Sequence, residues 1–285
     1  MSEVLIERQP GAERLALALD TDDLVAALRS ARTLAPWFGT AKVGLELYSA
    51  AGPDAIASLG NLGYQVFVDL KMFDIPTTVH RAARVVGSLG GRYLTLHSAG
   101  GVPMLSAGVE GLAEGASRAG VEPPLALAVT VLTSESDAPA QLLDQRVAAA
   151  VEARCGGVVC AATDLAVVRA AGPGLRTVVP GIRPAGGAVD DQRRIATPGA
   201  AVDAGADVLV IGRAVTGSAD PVAAASALAA HQRRPGPVGR GIRPSGQLGT
   251  AVPARHPDRR HVAAGTEDSG QHRLLRRGDA DRHRQ

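Results

Sequence analysis

VFVDLKMFDIPTTVHRAARVV, residues 66–86, contains in one run an apolar strand, a cluster of charges, a turn and the start of a helix. Asp69, Lys71 and Asp74 fall within six residues at the end of the apolar segment. Pro76 then fixes a turn, and TTVHRAARVV takes up a helical pattern with Thr77 or Thr78 near its N-terminus. In extended geometry residues i and i+2 point to one face, so Asp69 and Lys71 are expected side by side with their charges in contact. A lone Asp-x-Lys at a strand end reads more often as a structural salt bridge than as a catalytic pair, so the surroundings have to decide what this one does.

Working outward, short apolar runs recur from Leu15 (LALALD), Ala41 (AKVGL), Gln65, Tyr93 (YLTLH), Leu125 (LALAVTVL), Gly157 (GVVCA), Thr177 (TVVPG) and Val208 (VLVIG), at roughly 28-residue intervals. Near-continuous apolar strands are what a sheet buried on both faces requires. Helical patterns such as DDLVAALRSARTL and AQLLDQRVAAAVEAR lie between them, with Asp22 as the expected N-cap of the first, and Gly90, Gly120, Gly156 and Gly205 where helices should end. Eight strand-then-helix units predict an α/β fold, a (β/α)8 TIM barrel. An open doubly wound sheet also alternates, but it gathers its polar groups at a switch point. Here they sit at nearly every strand end: Asp20, Lys42 (early in its strand), Asp69 with Lys71, His97, Thr130 with Thr133, Arg183, and Gly212 with Arg213. That distribution describes one rim.

The 285 residues carry a net charge of +2, but the balance is uneven: residues 231–285 hold 12 Arg against 5 acids, whereas the rest is net acidic. That segment has no aromatic residue, Met or Cys and only seven Val, Ile or Leu, so it cannot bury enough apolar area to offset the entropy of ordering. The chain is therefore expected to comprise a barrel domain over 1–230 and a disordered, basic, Arg/Gly/Pro/His-rich tail over 231–285. Two cysteines, Cys155 and Cys160, exclude a disulfide framework. No apolar run reaches the length of a bilayer span, and MSEVLIERQPGAER lacks the apolar stretch of a signal peptide, so a cytoplasmic enzyme is expected. The chain has 28 arginines and only two lysines, Lys42 and Lys71. A compositional bias toward Arg accounts for the trend but not for the two exceptions.

DLKMFDIPTTV resembles the signature of the orotidine 5′-phosphate decarboxylase family, in the bacterial branch that reads Asp-Leu-Lys-x-x-Asp-Ile-Pro-x-Thr-Val. LALALD, KVGLELY, HSAGG, AVTVLTS, VVPGIRP, DDQRRIATP and VIGRAVT follow the same family pattern in order over residues 14–230. The resemblance implies that the chain converts orotidine 5′-monophosphate to uridine 5′-monophosphate with no metal or cofactor, as a homodimer with shared active sites. It assigns Asp20 and Lys42 to the ribose hydroxyls, Lys42 also to the catalytic charged row, Asp69 to a position beside the substrate carboxylate, and Lys71 to protonation of carbon 6. Asp74, Ile75 and Thr78 would be donated across the dimer interface, Thr133 would sit at the base, and Arg183, Gln192, Gly212 and Arg213 would hold the phosphate. Phe73 and Thr77 stand where the family often has His and Asn, and the segment after Ala230 has no counterpart in the family pattern.

The chemistry agrees with the residue types. Loss of carbon dioxide from a ring carbon with no adjacent electron sink leaves a localised carbanion, which a fixed cation stabilises as it develops. Lysine can be both that cation and the proton donor, whereas a guanidinium holds its proton near neutral pH. Loops after the seventh and eighth strands of such barrels commonly bind phosphate, which suits Gly212 and Arg213.

Two other functions compete: a magnesium-dependent phosphosugar decarboxylase or synthase on the same barrel, and nucleic-acid binding through the basic tail, which its lack of aromatic residues disfavours. His97 reads as a hydrogen-bonded structural histidine, the cysteines as inert, and Trp37 as a packing residue. The tail histidines His256, His261, His272 and His283 lack the cysteine pair of a zinc finger.

Overall fold

The computed structural model describes residues 7–132, 139–184 and 196–232. Within them eight parallel strands close on themselves: β1 (Leu15–Leu19), β2 (Thr40–Val43), β3 (Gln65–Met72), β4 (Tyr93–His97), β5 (Leu125–Val129), β6 (Gly157–Val159), β7 (Arg176–Val179) and β8 (Val208–Ile211). Each pairs with the next, and β8 pairs with β1. All eight begin within one residue of the expected positions. The helices among the described residues are α1 (Leu24–Leu34), α2 (Leu45–Ala51), α3 (Pro53–Asn61), α4 (Pro76–Gly87), α5 (Gly101–Ala119), α6 (Ala140–Glu152), α7 (Leu165–Ala171), α8 (Pro198–Asp203), α9 (Arg213–Thr216) and α10 (Pro221–His231).

The alternation within each apolar strand builds two layers. Leu15, Leu17 and Leu19 of β1 face outward to helices, where they join Val66 and Val68 of β3 in the larger core. Ala16 and Ala18 face inward, with Phe67, Tyr93, Leu127, Val178, Val208 and Val210, and fill the barrel. Phe67 and Tyr93 meet edge to face there, 5.8 Å between centroids, so two of the chain's few aromatic rings plug the interior.

Three local expectations are corrected. The N-cap of α1 is Asp23 rather than Asp22: Asp23 stands in extended conformation directly before Leu24, and its carboxylate accepts from the N–H groups of Val25 (2.8 Å) and Ala26 (3.1 Å). At the end of α6 the left-handed residue is Arg154, φ +58°, and not Gly156. Gly156 is needed for space, since a Cβ there would lie 2.7 Å from the Leu125 side chain. Lys42 lies near the end of its strand, not early in it, because β2 stops at Val43 and Gly44 already caps α2.

The chain divides into two units, Met1–Pro237, which contains every described residue, and Val238–Gln285. α10 runs to His231, past the boundary expected at residue 230, and Gln232 is buried with its Nε2 donating to the Gly11 carbonyl at 3.1 Å. Residues 233–285 of the expected tail, its four histidines included, lie outside the described residues.

Candidate active site

The C-terminal ends of the strands surround a cavity of about 270 Å³ lined by Asp20, Lys42, Asp69, Lys71, Arg183, Gly212 and Arg213 together with apolar residues of β5, β6 and β8. Seven of the expected site residues therefore meet at one place, brought there from the ends of five strands, β1, β2, β3, β7 and β8. On one side the charges alternate: Lys42 Nζ lies 3.0 Å from Asp20 Oδ1 and 3.6 Å from Asp69 Oδ2, and Lys71 Nζ lies 2.9 Å from Asp69 Oδ1. Asp69 thus carries a lysine on each oxygen while nearly buried. Its burial pushes the carboxyl up, but Lys42, Lys71 and the hydrogen bonds from Lys71 and Thr95 outweigh that and hold it below the usual carboxylate range. The group is therefore ionised near neutral pH.

The Asp69–Lys71 contact forms as expected, but not on a regular strand. Between the pairs Val68–Leu94 and Met72–Leu96, β3 advances four residues while β4 advances two, and Lys71 sits in the left-handed region with φ +47°. A lysine there costs about 1–2 kcal/mol, so surrounding contacts must hold it. Thr95 of β4 supplies two of them: its Oγ1 accepts from the Lys71 N–H at 2.8 Å and donates to Asp69 Oδ1 at 3.0 Å. Its position as the polar residue in the middle of YLTLH was the available signal. Gly44 was also missed; a Cβ there would lie 3.0 Å from Lys42 Nζ and 3.2 Å from Asp20 Oδ1, so glycine leaves room for that ion pair.

Arg183 follows β7 and is buried, while Gly212 and Arg213 open the short helix α9 directly after β8, where a Cβ at Gly212 would lie 3.8 Å from Asp20 Oδ2. The first turn of a helix leaves backbone N–H groups without intrahelical acceptors, a further source of donors for an anion. Asp74, Ile75 and Thr78 are not brought to this cavity. Asp74 and Ile75 occupy the exposed connection from β3 into α4 and Thr78 the first turn of α4; Asp74 Oδ1 accepts from the Ile75 N–H at 2.6 Å, and Phe73 and Ile75 are 63% and 67% exposed. Thr133 and Gln192 lie outside the described residues.

The remaining candidates have structural roles. His97 Nδ1 accepts from the Ala99 N–H at 3.2 Å, capping the turn Ser98–Gly100, and its ring rests 5.8 Å from that of Phe73. Burial pushes the Cys155 thiol up to about 12, which suppresses the reactive thiolate. Cys160 is buried in the cavity wall. Trp37 packs against the outer core. No cluster of three or more His, Cys, Asp or Glu suited to a metal occurs among the described residues, and no helix among them is long and apolar enough to cross a membrane.

Residues 13–228 match the orotidine 5′-phosphate decarboxylase / HUMPS family. The chain is 47% identical over 230 residues to an orotidine 5′-phosphate decarboxylase of Anaeromyxobacter sp. (strain K), covering 77% of this chain and 98% of that one. It is 46% identical over 237 residues to the enzyme of the same name from Thermobifida fusca, covering 79% and 98%. Among solved structures, the orotidine 5′-phosphate decarboxylase of Lactobacillus acidophilus superposes with a TM-score of 0.66 at 33% identity, over 77% of this chain and 99% of that one.

Proposed function

This chain belongs to the orotidine 5′-phosphate decarboxylase family and is a carboxy-lyase that converts orotidine 5′-monophosphate to uridine 5′-monophosphate in pyrimidine biosynthesis; on that premise we propose that Lys71 protonates carbon 6, with Asp69 set beside the departing carboxylate. The observation that carries these roles is the alternating row Asp20, Lys42, Asp69, Lys71 in the cavity, which Arg183 and Arg213 line as well from the ends of β7 and β8. The C6–carboxylate bond breaks and its electron pair stays on carbon 6. The Lys71 ammonium, already fixed by Asp69, faces that charge without reorienting and transfers a proton to it. Asp20 and Lys42 hold the ribose hydroxyls. Arg183 and Arg213 grip the phosphate together with Gly212 and with Gln192, and this remote binding aligns the ring. Thr133 is assigned to contact with the base.

Two features support a homodimer with shared sites. The segment Phe73–Thr78 follows directly from the lysine of the charged row yet is exposed throughout in a single chain, and it presents the apolar side chains of Phe73 and Ile75 to solvent. A second copy covering it would bring Asp74, Ile75 and Thr78 to the neighbouring cavity. The reaction takes place in the cytoplasm and needs neither metal nor cofactor, since the row supplies its own fixed cations.

The test is spectrophotometric: loss of orotidine 5′-monophosphate with purified protein, before and after EDTA treatment. Equal turnover in both is expected. A folded dimer without turnover would remove the assignment, and activity lost to EDTA and restored by magnesium would favour the phosphosugar-type alternative.

A further inference from the structure

We propose that Thr95 is a positioning residue for the decarboxylation: its hydroxyl ties the backbone of Lys71 to the carboxylate of Asp69, so that proton donor and carboxylate meet the substrate as one prealigned unit. This rests on the assignment of the reaction above and extends it to a residue that touches neither substrate nor solvent. Thr95 is fully buried on β4, opposite the register break in β3, and lines no part of the cavity.

The hydroxyl has one proton to donate, and its geometry fixes where that proton goes. The Lys71 N–H points into Oγ1 at 2.8 Å, so the oxygen is the acceptor there. The hydroxyl proton must then go to Asp69 Oδ1 at 3.0 Å, an ionised oxygen that can only accept. The same Oδ1 accepts from Lys71 Nζ at 2.9 Å. These contacts close a ring: Lys71 N–H to Thr95 Oγ1, Thr95 O–H to Asp69 Oδ1, and Lys71 Nζ–H to that same oxygen. One end of the ring is the backbone of a residue in the left-handed region, and the other is the ammonium that the chemistry uses.

Two consequences separate this role from ordinary packing. Without the hydroxyl, Lys71 keeps its charge and the phosphate side of the cavity keeps its arginines, so ground-state binding survives while alignment at carbon 6 is lost. Asp69 also loses one of the hydrogen bonds that favour its ionised form, so its protonation moves to higher pH.

The experiment compares the full chain with Thr95→Val, which matches the shape without the hydroxyl, and Thr95→Ser, which keeps the hydroxyl. Thr95→Ala serves as a second hydroxyl-free variant should Val not fold. In Thr95→Val, kcat is expected to fall about 10- to 100-fold with KM within about threefold, while Thr95→Ser stays within about threefold of the parent in both. The acid limb of kcat/KM should shift to higher pH, and the Lys71 amide should exchange faster with deuterium in NMR spectra.

A hydroxyl-free variant with parental kcat and a protected Lys71 amide would overturn the proposal. So would a Thr95→Ser variant as impaired as Thr95→Val, or a loss confined to KM. A parent chain that does not turn over orotidine 5′-monophosphate would instead remove the reaction assignment, and amide exchange would then decide alone whether the clamp exists.

Discussion

Lys71 and Lys42 are the two lysines of a chain with 28 arginines, and both meet at one carboxylate, Asp69. Lys71→Arg keeps the charge but removes a transferable proton, so kcat is expected to fall by at least about 10³-fold; a variant within tenfold of the parent in steady-state kinetics would take the proton-donor role away from Lys71. Asp69 leaves a second trace, in stability. Its folded-state carboxyl is held below the ordinary value, so its contribution is complete above the unfolded pKa of about 3.9 and is lost as pH falls through the lower folded value. Urea unfolding of the parent and of Asp69→Asn should therefore show a stability difference that is constant near neutrality and shifts against the parent below about pH 4. A difference independent of pH down to the acid transition would mean that the lysines do not bias the carboxyl. The identities of Asp20, Asp69, Lys71, Arg183 and Arg213 were legible because each is a charge at or just after the end of an apolar run, whereas Lys42, inside AKVGL, stood out as one of two lysines in an arginine-rich chain. Thr95 was not, because its significance depends on a break in pairing between two strands that are separated in sequence by a whole helix.

At the scale of elements, strand starts could be read closely because an apolar run buried on both faces has sharp polar edges. Ends were harder, since they depend on what the next residue does: β2 stops where Gly44 caps a helix, and β3 runs on to Met72 by slipping register against β4. The long helix α5 shows a different limit. Gly108, Gly111 and Gly115 lower its intrinsic propensity, and their purpose appears only once the neighbouring elements are laid against them. A Cβ at Gly111 would lie 2.3 Å from the His80 carbonyl oxygen, and one at Gly115 would approach the Arg84 carbonyl oxygen of α4 still more closely. Gly115→Ala should therefore destabilise by about 1–3 kcal/mol, lowering Tm by several degrees. Gly60 of α3 is the control: a Cβ there meets nothing within 4 Å, so Gly60→Ala should raise stability by about 0.5–1 kcal/mol. Calorimetry on both variants checks the pair, and equal shifts would show that α4 and α5 have room to move apart.

For the whole molecule, the exposed segment Phe73–Thr78 makes a prediction that no single-chain measurement can address. If Asp74 completes the neighbouring site, each site needs Lys71 from one chain and Asp74 from the other. Mixing inactive Lys71→Ala with inactive Asp74→Ala under conditions shown to exchange subunits should restore about one quarter of parental sites, because one site in each mixed dimer receives neither change. If each chain completes its own site, every site retains one mutation and nothing is recovered. The closure of the barrel has a further consequence. β8 is hydrogen-bonded to β1, and Gln232 is tied to Gly11 at the end of the barrel away from the cavity, so the two ends of the described chain are spatial neighbours. The order in which the eight units are synthesised is then incidental to the structure they reach. A circular permutant that joins Gln232 to Gln9 through a short Gly/Ser linker and opens between Gly90 and Gly91 should fold to the same barrel and decarboxylate at a rate close to that of the parent. An insoluble or inactive product would mean that this ring, continuous in space, must be built from one particular starting point.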